Sequence, residues 1–191
     1  LMESVQNLVN QLYQESLDPN ELRERWKINE PWISTGPLES LNVTIGKLMY
    51  RKALHREAQL YGFKLKSQHI DGFNMHWLCN AKPKKSRGTL LLIHGLSAEK
   101  YHWIRFARYF VKDYHIIIPD LGGHGQTGYQ PDADYGTQAQ AQRLIDLLDY
   151  LKIDKVHVTG NSMGGFVGAR LTANWPERLS RLCLMDAAGL Q

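Results

Sequence analysis

The chain has 191 residues, 43% hydrophobic and 22% charged, with a formal net charge of +4. These are the proportions of a soluble globular protein, and the length suffices for one domain with a packed core. The mild charge, whose only tight cluster (Lys82, Lys84, Lys85 and Arg87) sits in a proline-containing loop with no recognition helix or aromatic platform beside it, speaks against a nucleic-acid partner.

In chain order, residues 2–17 place Val5, Leu8, Val9, Leu12 and Tyr13 on one helical face. Asp18-Pro19 supplies a cap and a first-turn proline for a short second helix to about Trp26. Pro31, Gly36 and Pro37 mark a loop. A third helix is expected from Leu38 to Tyr61, with Leu41, Ile45, Leu48 and Met49 as its apolar stripe and Lys47, Arg51, Lys52 and Arg56 among its polar positions. That stripe either packs on the domain or, as part of a basic amphipathic helix over 38–61, rests on a membrane surface. Residues 1–61 thus read as an N-terminal helical extension to a domain over 62–191.

From Phe63 the period changes. Phe63–Ile70 and Phe73–Cys79 form a hairpin about Asp71-Gly72. Thr89–His94 is a near-continuous apolar run, as a parallel strand buried on both faces requires. A helix (about Tyr101–Val111), strand (His115–Ile118), helix (about Thr137–Leu151), strand (Val156–Thr159), helix (Met163–Asn174) and strand (Leu179–Met185) follow. This alternation predicts an α/β fold with a mostly parallel sheet and helices on both faces. Ligands in such sheets bind beyond the carboxyl ends of the strands, where His94-Gly95, Pro119-Asp120 and Gly160 to Ser162 all fall.

Cys79 and Cys183 lie in separate strands and read as two buried free thiols. The histidines show no metal-ligand spacing, Gly122-Gly123-His124-Gly125 is no dinucleotide fingerprint, and no cofactor is implied. No signal peptide opens the chain and no apolar run reaches the ~18–20 residues of a membrane span. Leu1 before Met2 hints at residues removed or replaced upstream, so a cytoplasmic and a membrane-associated location both stay open.

The stretch that organises the rest is Gly160-Asn161-Ser162-Met163-Gly164, a G-x-S-x-G between a strand and a helix. A serine at such a turn sits in a strained conformation with its Oγ held above the sheet edge. Gly160 and Gly164 let strand and helix approach closely, and the helix N-terminus favours an oxyanion. Ser162 is the candidate nucleophile. The expected oxyanion donors are the backbone N–H of Met163 and that of Leu96, after His94-Gly95.

The segments His94 to Trp103, Pro119 to Gly125, Gly160 to Gly165 and Leu182 to Leu190 together resemble the α/β-hydrolase fold, most closely its monoacylglycerol-lipase and bacterial lipase branch. The resemblance runs from about Phe63 to the end. It implies an ester hydrolase with a lipid or other small ester as substrate, Ser162 as nucleophile, the Leu96 and Met163 amides as oxyanion hole, and His94 as structural. In this family the acid and base follow the nucleophile, but here no histidine follows Ser162. The expectation is therefore a hydrolase cut after its sixth strand, with the cap, acid and base in a remaining segment beyond Gln191 that activity needs. Two other readings compete. One is a carbon–carbon bond hydrolase of the meta-cleavage type; the other is a non-catalytic binding fragment.

Overall fold

The computed structural model describes residues 37–189, and for 37–43 the helical backbone alone. The helices expected within 2–26 and the loop at Pro31 and Gly36 lie outside the described residues. The chain divides into two units at Leu48/Met49. Helix α1 (Pro37–Leu60) begins in the first and continues into the second, which carries every other described element.

The second unit is built on a six-stranded sheet of order β1-β2-β4-β3-β5-β6, comprising β1 (Phe63–Ile70), β2 (Phe73–Asn80), β3 (Thr89–Ile93), β4 (His115–Pro119), β5 (Val156–Asn161) and β6 (Leu179–Met185). β1 and β2 are an antiparallel hairpin in which Ile70 faces Phe73 across Asp71-Gly72. Both turn residues have positive φ, 46° and 76°, as a two-residue turn matched to strand twist demands. β2 also runs antiparallel to β4, whereas β4, β3, β5 and β6 are mutually parallel.

Side-chain alternation along the strands separates two cores. Phe73, Met75, Trp77, Leu91, Ile93 and Ile117 point to one face, under α3 (Thr137–Tyr150) and α4 (Met163–Asn174). Leu78, Leu90, Leu92, Ile116 and Ile118 point to the other, where they meet Ala58 of α1, Tyr101, Trp103 and the short helix α2 (Ile104–Ala107). β3 is buried at every position because both faces are covered. Helix α3 forms because Ala141, Leu144, Ile145, Leu147 and Leu148 recur at helical spacing on its buried side.

Two expectations, on the helix over 101–111 and on Cys183, need correction, and the alternatives for α1 are narrowed. The helix expected over 101–111 is a 3-10 turn (Lys100–Trp103) followed by the single α turn of α2. Beyond it the chain tightens into further turns, with Tyr109 and Phe110 donating back only three residues, to Phe106 and Ala107. Its apolar periodicity is genuine, but Trp103, Phe106, Phe110 and Tyr114 use it to form a chain of edge-to-face and tilted aromatic contacts. In α1, Ile45, Leu48 and Met49 of the predicted stripe are exposed, and the helix instead buries Ala58 and half-buries Leu54. Cys79 is half-buried, but Cys183 is exposed, because β6 is the edge strand; both thiols are free.

The α3 core makes a direct prediction. Leu144→Ala removes a fully buried side chain from the α3–sheet core. It should lower unfolding free energy by about 3 kcal/mol, read as a reduced urea midpoint at unchanged slope.

Candidate active site

Ser162 lies between β5 and α4, as the cap of the helix, with φ 51° and ψ −118°, a region L-residues rarely enter. The surrounding backbone holds it there. Its N–H donates to the Met185 carbonyl at 2.9 Å, and its own carbonyl accepts from Gly165 (3.0 Å), Phe166 (3.3 Å) and Ala188 (3.0 Å). The glycines serve close approach. A side chain at Gly160 would fall on the Gly164 carbonyl, one at Gly164 on the carbonyls of Ile93 and His94, and one at Gly165 on Ala187. Strand β5, helix α4 and the end of β3 therefore meet through backbone alone.

The loop after β3 lies against this elbow. A Cβ at Gly95 would stand 3.2 Å from Ser162 Cβ and 3.3 Å from the Asn161 carbonyl oxygen. Gly95 also accepts the Ala98 N–H at 3.3 Å, in a turn that puts Ser97 at φ 57° and leaves the Leu96 side chain exposed. Neither the Leu96 nor the Met163 N–H is taken up in the turn, loop and cap hydrogen bonds of the described residues. The structure thus brings together the segments that carry His94, Gly95, Leu96, Gly160, Ser162, Met163 and Gly164.

The histidines answer a separate question. His94 is buried, its Nδ1 lies 2.8 Å from the Gly95 carbonyl, and its Nε2 accepts the Leu121 N–H at 3.1 Å. Those partners place the ring proton on Nδ1 and use the remaining lone pair. Burial pushes its pKa down to about 4, against the opposing pull of the Gly95 carbonyl and the Asp120 charge. A neutral ring with no lone pair to spare cannot take a proton from serine. His124 hydrogen-bonds the Gly122 carbonyl at 3.0 Å and lies 5.1 Å from the His94 ring, centre to centre. His157 sits lower on β5 with its ring edge-on to Tyr114. All eight histidines lie among the described residues, and none hydrogen-bonds Ser162.

The acids separate in the same way. Asp186, just past β6, is exposed. Asp120, just past β4, is fully buried in an ion pair with Lys100, Nζ to Oδ2 2.6 Å. Lys100 escapes sequence reasoning because its partner is 20 positions away. The available signal is a lysine directly before Tyr101 and Trp103, which are themselves buried. Gln140 escapes too: its side-chain amide clasps Gly122, accepting its N–H at 3.0 Å and donating to its carbonyl at 2.9 Å.

Residues 88–190, more than half the chain, match the family profile described as the alpha/beta hydrolase fold. Over 101 residues the chain is 43% identical to Lipase 1 of Psychrobacter immobilis, an alignment covering 52% of this chain and 32% of that protein. Over 132 residues it is 30% identical to human monoacylglycerol lipase ABHD6, covering 68% of this chain and 39% of that one. A crystal structure described as a membrane phospholipase A and bacterial virulence factor superposes with a TM-score of 0.69 at 33% identity, over 81% of this chain and 51% of its own. The chain accordingly spans between about a third and a half of the proteins it matches. Strand order, the glycine-built elbow and the profile agree, and the chain belongs to the α/β-hydrolase fold family, within its lipase-like branch.

Proposed function

We propose that the protein is a serine hydrolase of carboxylic esters, with lipid esters of the monoacylglycerol class as substrates. The observation that carries this reading is the juxtaposition at the elbow. Ser162 is held at positive φ against Gly95, and the amides of Leu96 and Met163, the residues that follow these two in the chain, take no part in the turn, loop and cap hydrogen bonds. In this reading Ser162 Oγ attacks the ester carbonyl and its proton passes to a base. The carbonyl oxygen becomes an oxyanion that the two N–H groups and the α4 N-terminus stabilise. Collapse expels the alcohol and leaves an acyl-enzyme, which water hydrolyses by the same steps. Because none of the eight histidines hydrogen-bonds Ser162, the reading assigns the base and its orienting acid to sequence beyond Gln191, which also matches the partial coverage of the relatives. In the same reading 62–191 is the first part of the hydrolase domain and 1–61 an extension that precedes it.

The extension supplies a membrane-facing element. No described helix is long and apolar enough to cross a membrane. Helix α1 instead presents exposed Ile45, Leu48, Met49 and Tyr50 beside exposed Lys47, Arg51 and Lys52, a composition suited to lying on an anionic bilayer surface.

His94 adds a pH dependence. Its native pKa of about 4 is below the ordinary 6.5, so the unfolded chain binds the extra proton first as pH falls. The stability this contributes is complete above pH 6.5 and is lost as pH drops from there through about 4, amounting to roughly 3 kcal/mol.

Three outcomes test these points. A fluorophosphonate probe should label Ser162 in the full-length polypeptide and not in S162A; absence of labelling in both would remove the esterase assignment. Urea titrations at several pH values should show stability declining between pH 6.5 and 4, with a visibly shallower decline in His94→Gln. Sedimentation with vesicles containing anionic lipid should capture the protein at low salt, and Leu48→Glu/Met49→Glu should abolish capture; equal binding by the variant would free α1 of this role.

A further inference from the structure

The loop that carries Leu96 is fastened at both ends to two consecutive residues. At its start, His94 Nε2 accepts the N–H of Leu121 at 3.1 Å. At its far end, Lys100 meets the Asp120 carboxylate twice, through its N–H to Oδ1 at 2.8 Å and through Nζ to Oδ2 at 2.6 Å. Between these anchors, Gly95 to Glu99 make one internal backbone bond, from Ala98 to Gly95. Asp120 is itself fixed from several directions. Its N–H donates to the His76 carbonyl, its carbonyl accepts from Thr127 Oγ1, and Oδ2 also accepts the Gln126 N–H at 2.8 Å. Gly125, at φ 50°, wraps so closely that any side chain there would overlap the carboxylate.

Both members of the ion pair are completely buried. Desolvating two charges costs several kcal/mol per ion, and apolar pairs of similar volume commonly replace such bridges without loss of stability. Fold stability alone therefore gives little reason for a charge pair here. What an apolar pair could not do is accept two backbone N–H groups from two different loops, Lys100 and Gln126, at one carboxylate.

We infer that Lys100 and Asp120 are positioning residues for the oxyanion hole: their buried bridge fastens the Gly95–Glu99 loop so that the Leu96 N–H stays beside Ser162. This rests on the role assigned to Leu96 above, but the fastening itself is a property of the loop and can be measured separately. Asp120 acts through Lys100 and the loop and touches no reacting atom.

The test compares the unmodified protein with K100M and with K100M/D120L, which removes both charges and leaves no carboxylate stranded. By 15N relaxation, the Leu96 to Glu99 amides should be as rigid as β3 in the unmodified protein, with order parameters near about 0.85, and should fall below about 0.6 in the variants while β3 is unchanged. In the full-length polypeptide, the inactivation rate constant for fluorophosphonate labelling of Ser162 should drop about 100-fold with the reversible affinity for the probe unchanged, the size expected for a lost oxyanion donor. A folded variant whose loop amides keep their order, or whose labelling is unaltered, overturns the inference. If the unmodified protein is rigid at Leu96 but is never labelled, the esterase reading fails while the relaxation result still decides the fastening. Should neither variant fold, native-state hydrogen exchange on the unmodified protein decides: Lys100, Leu121 and Gln126 amides must open with one common free energy, and independent opening refutes the clamp.

Discussion

The structure depends on one close approach: the first turn of α4 against the end of β3, with no side chain between them. Gly164 faces the carbonyls of Ile93 and His94, and Gly160 faces the Gly164 carbonyl. Only this contact permits a chain leaving β5 to turn into α4 directly beside the loop that follows β3. The strained backbone at Ser162, worth about 1–3 kcal/mol, is offset by bonds to Met185, Gly165, Phe166 and Ala188. Since those partners come from β6, α4 and the chain after β6, the elbow is secured by several elements rather than by its own turn.

The position of the site follows from the crossovers. The connection from β3 to β4 runs over the face covered by α2, and those from β4 to β5 and from β5 to β6 run over the face covered by α3 and α4. β3 therefore lies between strands whose connections diverge to opposite faces, the kind of switch point at whose carboxyl end such sheets bind ligands. His94, Gly95 and Leu96 leave β3 at that switch point, and Ser162 leaves the adjacent β5.

Polar side chains around the ends of β3 and β4 do different work from the apolar ones beneath them. His94, Lys100, Asp120, Thr127 and Gln140 are all buried; His94, Asp120, Thr127 and Gln140 bond backbone outside the strands, Thr127 also accepting the N–H of His76 in β2, and Lys100 neutralises Asp120. Buried loop backbone cannot be satisfied by water or by a sheet ladder, so side chains must supply the partners. A histidine kept neutral by burial suits that task, because only the uncharged ring can accept the Leu121 N–H.

Much of this was open to reading from residue order. β1, α4 and β6 begin and end where period and turn residues place them, and Gly-x-Ser-x-Gly between a strand and a helix marks the elbow, because hydrophobic period and glycine placement are local properties. The segment after Glu99 misled because apolar spacing at three and four residues suits both a regular helix and a series of tight turns. The stripe on α1 left two readings open because periodicity says which residues share a face, not whether anything covers it. What tertiary structure alone decided was pairing at a distance: Lys100 with Asp120, Gln140 with Gly122, and the lone pair of His94 with Leu121. Such bonds join residues that become neighbours only when β3, β4 and α3 converge, and no local preference in the chain encodes a partner that folding has yet to bring within reach.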